Sequence, residues 1–235
     1  MALSAFSLRL LAMVLMPLDH MWATVIPGND WMTWLGRLAF PIFAFLLAEG
    51  YRHTSDFKKY LKRMALFAVI SEIPFNLMAY GMPLFPFHQN VLWTFCIALI
   101  CMNALERLKV KGKPWLTWVL SPLVVFAGYL AGLILMVDYG GWGVIMVLVF
   151  YFLPGKSWPQ RIAQLVLLYC INWRWMGGTV LPIGNFELPV QGFAVLALPF
   201  IWLYRGRQGL HTPLAKRLGY WFYPVHCLIL GLLYL

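Results

Sequence analysis

The chain has 235 residues, of which 62% are apolar and only 11% charged, and its mean hydropathy is +0.75. Soluble domains run at about 45–50% apolar and about 25% charged. A soluble enzyme and a separate soluble domain are therefore both excluded: residues 1–235 read as a single, all-α, polytopic integral membrane domain, one helical bundle.

A membrane-spanning helix takes about 20 apolar residues, so a chain of 235 residues has room for eight to ten spans. Hydropathy predicts about nine, at 5–26, 31–51, 64–80, 90–105, 114–137, 141–154, 162–176, 190–204 and 218–235. Segments 141–154 and 162–176 are short and interrupted by polar residues. The N-terminus lacks a signal peptide's charged head and small-residue cleavage site, so the first span is expected to be retained. The net charge of +10 calls for no nucleic-acid partner, because it collects in alternate loops. With the N-terminus inside, 15 of the 18 basic residues fall in the inner loops, and only Arg174 lies in an outer one. That is the pattern of a cytoplasmic-membrane protein with a cytoplasmic N-terminus and a periplasmic C-terminus.

The first span carries three polar groups, Arg9, Asp19 and His20. A charge at the centre of a membrane helix costs about 2.5–3.5 kcal/mol on insertion scales, so each needs a partner or a function. Arg9, Met13, Met16 and His20 share one side of the helix. Asp19 either orients an imidazole for proton transfer or nucleophilic attack, or holds the cation of a neighbouring helix. The natural cation is Arg37, which enters the second span from the outer side at a depth similar to Asp19. Glu49, at the inner end of that span, is placed to meet Arg52 or His53. The third span puts Glu72 near mid-membrane, with Asn76 one turn on and Pro74 between them; an ionisable group there is a functional candidate by default. At the outer mouth of the fourth span lie His88, Gln89 and Asn90, and "VDYGGWG" brings Asp138 and Tyr139 to another outer junction. The last span holds Tyr223 and His226 three residues apart on one face. Cys96, Cys101, Cys170 and Cys227 all fall within spans, show no metal-type spacing and indicate no pairing. There is no Gly-rich phosphate loop, His-Glu-x-x-His or nucleophile elbow.

Taken in order, "AMVLMPLDH" (12–20), "GRLAFPIFAFLLAEGYRHT" (36–54), "YLKR" (60–63), "SEIPFNL" (71–77), "QNVLWT" (89–94), "DYGGWGV" (138–144), "YRGRQG" (204–209) and "FYPVH" (222–226) resemble the TraX family. These are bacterial inner-membrane proteins linked to N-terminal acetylation of conjugative pilin and to fimbrial assembly, and more distantly similar to transmembrane acyltransferases. The resemblance implies acetyl-CoA as the acyl donor and a pilin or fimbrial subunit as the acceptor; the residues themselves suggest no metal site. The resemblance places Asp19, His20, Arg37, Glu72, Asn90, Asp138 and His226 at polar family positions.

Two expectations follow. The first is a membrane acetyltransferase with His20, Asp19, Arg37, Glu72 and His226 in the chemistry, and Asn76, His88, Asn90, Asp138, Tyr139 and Tyr223 around the substrates. There, His20 is the general base or a transient acyl carrier, Arg37 or Asn90 the oxyanion donor, and Glu72 or His226 the proton relay. The second is a non-enzymatic pilin-assembly factor or a small proton-coupled transporter, using the same groups as a proton path. No inverted internal repeat of the kind many transporters carry is visible.

Overall fold

The computed structural model describes residues 2–111, 113–183, 186–210 and 212–235. Ten α-helices are found among them: α1 (Ala5–Ala23), α2 (Trp31–Gly36), α3 (Ala39–Arg52), α4 (Phe57–Tyr80), α5 (Val91–Lys111), α6 (Pro114–Ile134), α7 (Gly140–Phe152), α8 (Trp158–Tyr169), α9 (Ala197–Trp202) and α10 (Pro213–Tyr234). A π-helical turn, Cys170–Trp175, continues α8, and a 3₁₀ segment, Val190–Leu196, leads into α9. Between them a small antiparallel hairpin pairs β1 (Val180–Ile183) with β2 (Phe186–Pro189), Val180 opposite Pro189.

Local chemistry sets the helix ends. The Ser4 hydroxyl accepts from the Ser7 N–H at 3.1 Å and caps α1, and the Asp56 carboxylate accepts from the Lys59 N–H at 2.9 Å and caps α4. Gly81, in the left-handed region at φ 66°, ends α4. The predicted second span is bent: α2 and α3 meet at Arg37–Leu38. Pro41 is the cause, because its ring has no N–H for the Arg37 carbonyl four residues back and clashes with it.

Three helical runs are long and apolar enough to cross a bilayer by length and composition: Trp31–Arg52, Val91–Val110 and Pro114–Ile134. The runs at Gly140–Phe152 and Val190–Trp202 are apolar but shorter. Helix α4 begins at Phe57 and α10 at Pro213, earlier than the predicted spans at 64 and 218, because their basic first turns continue the helix.

The core is built from α3, α5 and α7, where Ile42, Ala44, Leu99, Met102, Met146 and Phe150 are fully enclosed. Helix α10 lies along α4, and α1 packs on both segments of the bent helix. The outside is apolar: Leu66, Val69 and Ile73 of α4, Trp118, Leu123 and Phe126 of α6, and Leu228 and Leu232 of α10 are all exposed. Continuous apolar surface of this kind is what lipid covers, and the protein is a helical membrane protein.

The bundle has two chemically distinct ends. At the basic end, Arg52 donates to the Glu49 carboxylate at 2.9 Å and to the carbonyls of Phe150 and Tyr151 at 2.5 and 2.9 Å. Beside it, the Tyr151 hydroxyl donates to Glu106 and accepts from Lys109, and Tyr204 donates to Glu49 at 3.2 Å. The chain just before α1 pairs with residues 203–208: Leu3 N–H donates to the Leu203 carbonyl, and Ala5 and Phe6 N–H donate to those of Arg207 and Gln208. The opposite end holds the polar residues that the sequence singled out.

Candidate active site

Asp19 and Arg37 meet, as expected from their depth. The Asp19 Oδ2 lies 3.5 Å from Arg37 Nη1, and Asp19 Oδ1 accepts from the Thr33 hydroxyl at 2.5 Å. Close contact of α1 with α2 makes this possible. A Cβ on Gly36 would lie 2.8 Å from the Asp19 backbone nitrogen and 2.9 Å from its Cα, so only glycine lets the two helices touch there. Thr33 joins this polar group although the sequence did not single it out; its single hydroxyl carries no signature.

The 136–139 turn closes over this pair. Gln89 N–H donates to the Met136 carbonyl and Asp138 N–H to the Gln89 carbonyl, at 2.9 and 2.8 Å. The Thr94 hydroxyl donates to the Asp138 carbonyl at 2.5 Å. His88 Nε2 stands 3.5 Å from the Asp138 carboxylate, and the His88 Nδ1 is 2.5 Å from the Tyr80 hydroxyl. Tyr139 is held with φ 61°, a left-handed conformation that costs a residue with a Cβ about 1–2 kcal/mol. Its N–H donates to Asp138 Oδ1 at 3.0 Å, its ring stacks on Phe40 with centroids 3.9 Å apart, and its hydroxyl lies against the Arg37 guanidinium. That backbone conformation is therefore what aims the phenol at Arg37.

His20 and His226, 206 residues apart, are in contact: His20 Nδ1 is 2.9 Å from His226 Nε2. The Thr24 hydroxyl donates to the His20 carbonyl at 2.6 Å and ties down the last turn of α1. Cys227 Sγ lies 3.7 Å from His226 Nε2. His20, His226 and Cys227 thus present three donor atoms within 4.8 Å of one another, the one group among the described residues with the composition of a soft-metal site. The two histidine nitrogens, however, lie at hydrogen-bond distance, with a proton between them.

A cavity of about 550 Å3 runs through the bundle beside these groups. Its polar-end wall includes Asp19, His20, Asp138, Tyr139 and Tyr223, and its middle is apolar, with Phe40, Phe43, Leu47 and Phe95. Its other end reaches Arg9, His53, Tyr60, Arg63 and Lys216 at the basic end of the bundle. Arg9, Met16 and His20, on the shared side of α1 read from the sequence, all line it. Arg9 packs there against α10, its Cδ 3.5 Å from where a Cβ on Gly219 would sit. Arg63 sits over the Tyr220 ring, 6.0 Å from its centroid.

The remaining residues singled out from the sequence lie elsewhere. Arg37 and His226 stand behind the residues that line the cavity, and His88 stands behind Asp138. Glu72 and Asn90 meet between α4 and the start of α5, away from the cavity lining, and Asn76 is buried one turn along α4 from Glu72. There the Asn90 side-chain amide donates to the Ala68 carbonyl at 2.8 Å and to Glu72 Oε2, which also accepts from Trp93 Nε1 at 3.0 Å. The Asn90 amide is thus committed within the cluster and does not face the cavity. Glu72 Oε1, Asn76 Oδ1 and the Ser71 hydroxyl have no hydrogen-bond partner among the described residues. Glu49 is the residue whose partners were read most directly, since both Arg52 and His53 reach it.

Comparison with known proteins bears on the whole chain. The family model described as TraX protein matches residues 4–234. "Probable fimbrial assembly protein FimC, serogroup H1" of Dichelobacter nodosus is 30% identical over 246 aligned positions, covering 97% of this chain and 94% of that protein. "Protein TraX" of Escherichia coli is 28% identical over 166 positions, covering 70% of this chain and 61% of that one. No solved structure matches. With the match running almost from end to end, through every residue that lines the cavity's polar wall, the chain belongs to the TraX family.

Proposed function

We propose that this protein is a membrane-embedded acetyltransferase. In this reading it moves an acetyl group from cytosolic acetyl-CoA to the N-terminal amine of a pilin subunit at the periplasmic side of a bacterial inner membrane. The relatives' names, fimbrial assembly protein and TraX, support a place in pilus assembly. The observation that carries the chemistry is the cavity, which links a basic mouth to a histidine–aspartate–tyrosine wall through an apolar middle. Arg9 and His20 lie eleven residues apart on α1, about 16 Å of helix rise. An extended phosphopantetheine arm bridges such a span, leaving the nucleotide phosphates among Arg9, Arg63 and Lys216.

The topology that goes with this reading has nine crossings, with the basic end cytoplasmic, and the distribution of Lys and Arg supports it. The five helix ends that meet around Arg52, Lys109 and Arg161, those of α3, α5, α7, α8 and α9, then all lie inside, and Asp19, His88 and Asp138 lie towards the periplasm.

The neutral amine attacks the thioester carbonyl and a C–N bond forms. His20 takes the proton from the amine nitrogen at the ring nitrogen that faces the cavity. The Tyr139 hydroxyl, backed by Arg37, donates to the oxyanion. The C–S bond breaks, and the His20 imidazolium returns its proton to sulfur. The products are the acetylated amine and the CoA thiol. Asp19, held by Thr33 and Arg37, shapes the field around the base.

The test is transfer of labelled acetyl-CoA to a peptide bearing the pilin N-terminus, with a melting curve on the same preparation. His20→Gln keeps a hydrogen-bonding side chain but no base. It is expected to fold and to bind acetyl-CoA, with transfer reduced about 10²–10⁴-fold, or about 3–5 kcal/mol of barrier. Near-normal transfer with an unchanged melt removes His20 from the chemistry. In cells, pilin of equal intact mass with and without this protein refutes the acceptor.

A further inference from the structure

A histidine acts as a base only through a nitrogen that carries a lone pair, and which nitrogen that is depends on the partner of the other. The chain of contacts here settles the question. His226 Nδ1 is 2.8 Å from the Phe222 carbonyl, which can only accept, so Nδ1 carries the proton. Among the described residues no carboxylate contacts His226, which is 8% exposed, and a second proton would leave an unpaired charge in an apolar setting. Its Nε2 is therefore an acceptor. His20 Nδ1, 2.9 Å away, is then the donor, and the His20 Nε2 is left with its lone pair and without a hydrogen-bond partner among the described residues.

We propose that His226 is a positioning residue that fixes the tautomer of His20, so that His20 presents an unprotonated Nε2 to the cavity. The inference rests on the reading of His20 as the base. The rings lie 9° from parallel with centroids 5.0 Å apart, and their nitrogens make the close approach, so they meet edge to edge. Phe222 stacks on His226 at 4.7 Å and Tyr223 abuts it at 68°, holding its plane. His20 lines the cavity and His226 does not, so one ring meets substrate and the other stands behind it. In serine hydrolases a buried carboxylate accepts the Nδ1–H of the base and sets its tautomer. Here a neutral imidazole takes that place. When Nε2 takes the amine proton, the charge stays on His20, and the Nδ1–H bond to His226 becomes charge-assisted. The proton then leaves by the same nitrogen to sulfur, and His226 is unchanged at the end of the cycle.

The experiment reads the tautomer directly, without acetyl-CoA. Protein labelled with 15N-histidine is reconstituted in lipid nanodiscs, and the His20 resonances are assigned by their loss in His20→Gln. The expected wild-type spectrum has a protonated Nδ1 and an unprotonated Nε2 at His20, the minor form of a histidine in water. In His226→Leu the pattern moves to the Nε2-protonated form. In His226→Gln, whose side-chain oxygen can still accept the Nδ1–H, it is retained. Transfer assays on the same samples show kcat reduced about 10²–10⁴-fold in His226→Leu, an unchanged KM for acetyl-CoA, and partial recovery in His226→Gln. A wild-type His20 protonated at Nε2 overturns the proposal. So does a spectrum indifferent to His226→Leu, or a stoichiometric metal ion in the purified protein. If His226→Leu fails to fold, the wild-type spectrum and His226→Gln decide. The expected spectrum in a protein that transfers no acetyl group supports the tautomer assignment and refutes the acetyltransferase reading alone.

Discussion

Removing Arg37 tests the electrostatic frame of the site. In Arg37→Ala, Asp19 keeps the Thr33 hydroxyl on Oδ1 but loses the guanidinium on Oδ2, and its side chain is only 15% exposed. Breaking one side of a buried ion pair costs about 3–5 kcal/mol. The low end applies, because Arg37 is itself 23% exposed and Thr33 remains in place. A loss of about 3 kcal/mol lowers Tm by about 6–12 °C in a chain of this size. The neutral double variant Asp19→Asn/Arg37→Gln leaves no stranded charge and retains an acceptor for Thr33. It is expected to recover most of the lost stability while transfer stays low, since Tyr139 has lost the cation behind it. The assay is a thermal melt in one fixed detergent of wild type, Arg37→Ala, both neutral single variants and the double, with transfer measured on each. A double variant that melts no higher than Arg37→Ala refutes the pairing.

Further outcomes follow from other contacts. Gly36→Ala forces a methyl group into the Asp19 backbone, which costs about 1–3 kcal/mol and lowers transfer; a wild-type melt would show that α1 and α2 do not touch there. Arg63→Gln/Lys216→Gln removes two exposed charges at the cavity mouth. At up to about 1 kcal/mol each, their loss raises the KM for acetyl-CoA about tenfold and leaves kcat alone; an unchanged KM at low salt would place the phosphates elsewhere. Glu72→Gln keeps an acceptor for Asn90 and Trp93 and is expected to melt as wild type, whereas Glu72→Leu strands both donors at about 1–3 kcal/mol for each group left unmade; equal melts for the two would contradict this. Single cysteines at Lys59 and Lys216 are expected to resist periplasmic thiol reagents while one at Leu84 reacts, and the opposite pattern would invert the topology.

How much of this was readable before the structure depends on sequence distance and on type of force. Glu49 with Arg52 and His53 follows from helical spacing of three and four residues. Asp19 with Arg37 follows from depth, since two opposite charges at one level of adjacent helices have few other solutions. The His20–His226 contact has no such rule. It depends on how the first and last helices pack, which no period encodes. Glu72 shows the converse: its mid-membrane position is plain from the sequence, whereas its partners Asn90 and Trp93, away from the cavity lining, are not. The π-helical turn at 170–175 was unreadable because it inserts one residue into an otherwise ordinary apolar helix. The hairpin is easier to account for. It falls in the loop between the predicted spans 162–176 and 190–204, and each strand has only four residues and contains proline, too short a period-two pattern to read as a strand.

The pairing of residues 3–6 with 203–208 has a mechanical meaning. Gln208 and Leu210 form part of the cavity mouth, and the same stretch of chain clasps the start of α1 just ahead of α10. Helix α1 then acts as a lever about 22 Å long from the clasp to His20. A tilt of about 3° at the clasp swings the imidazole by about 1 Å, and displacements of that size can change a rate about 100-fold. Gln208 belongs to both the clasp and the cavity mouth, so the stretch of chain that lines the mouth is also the one that fixes the start of α1.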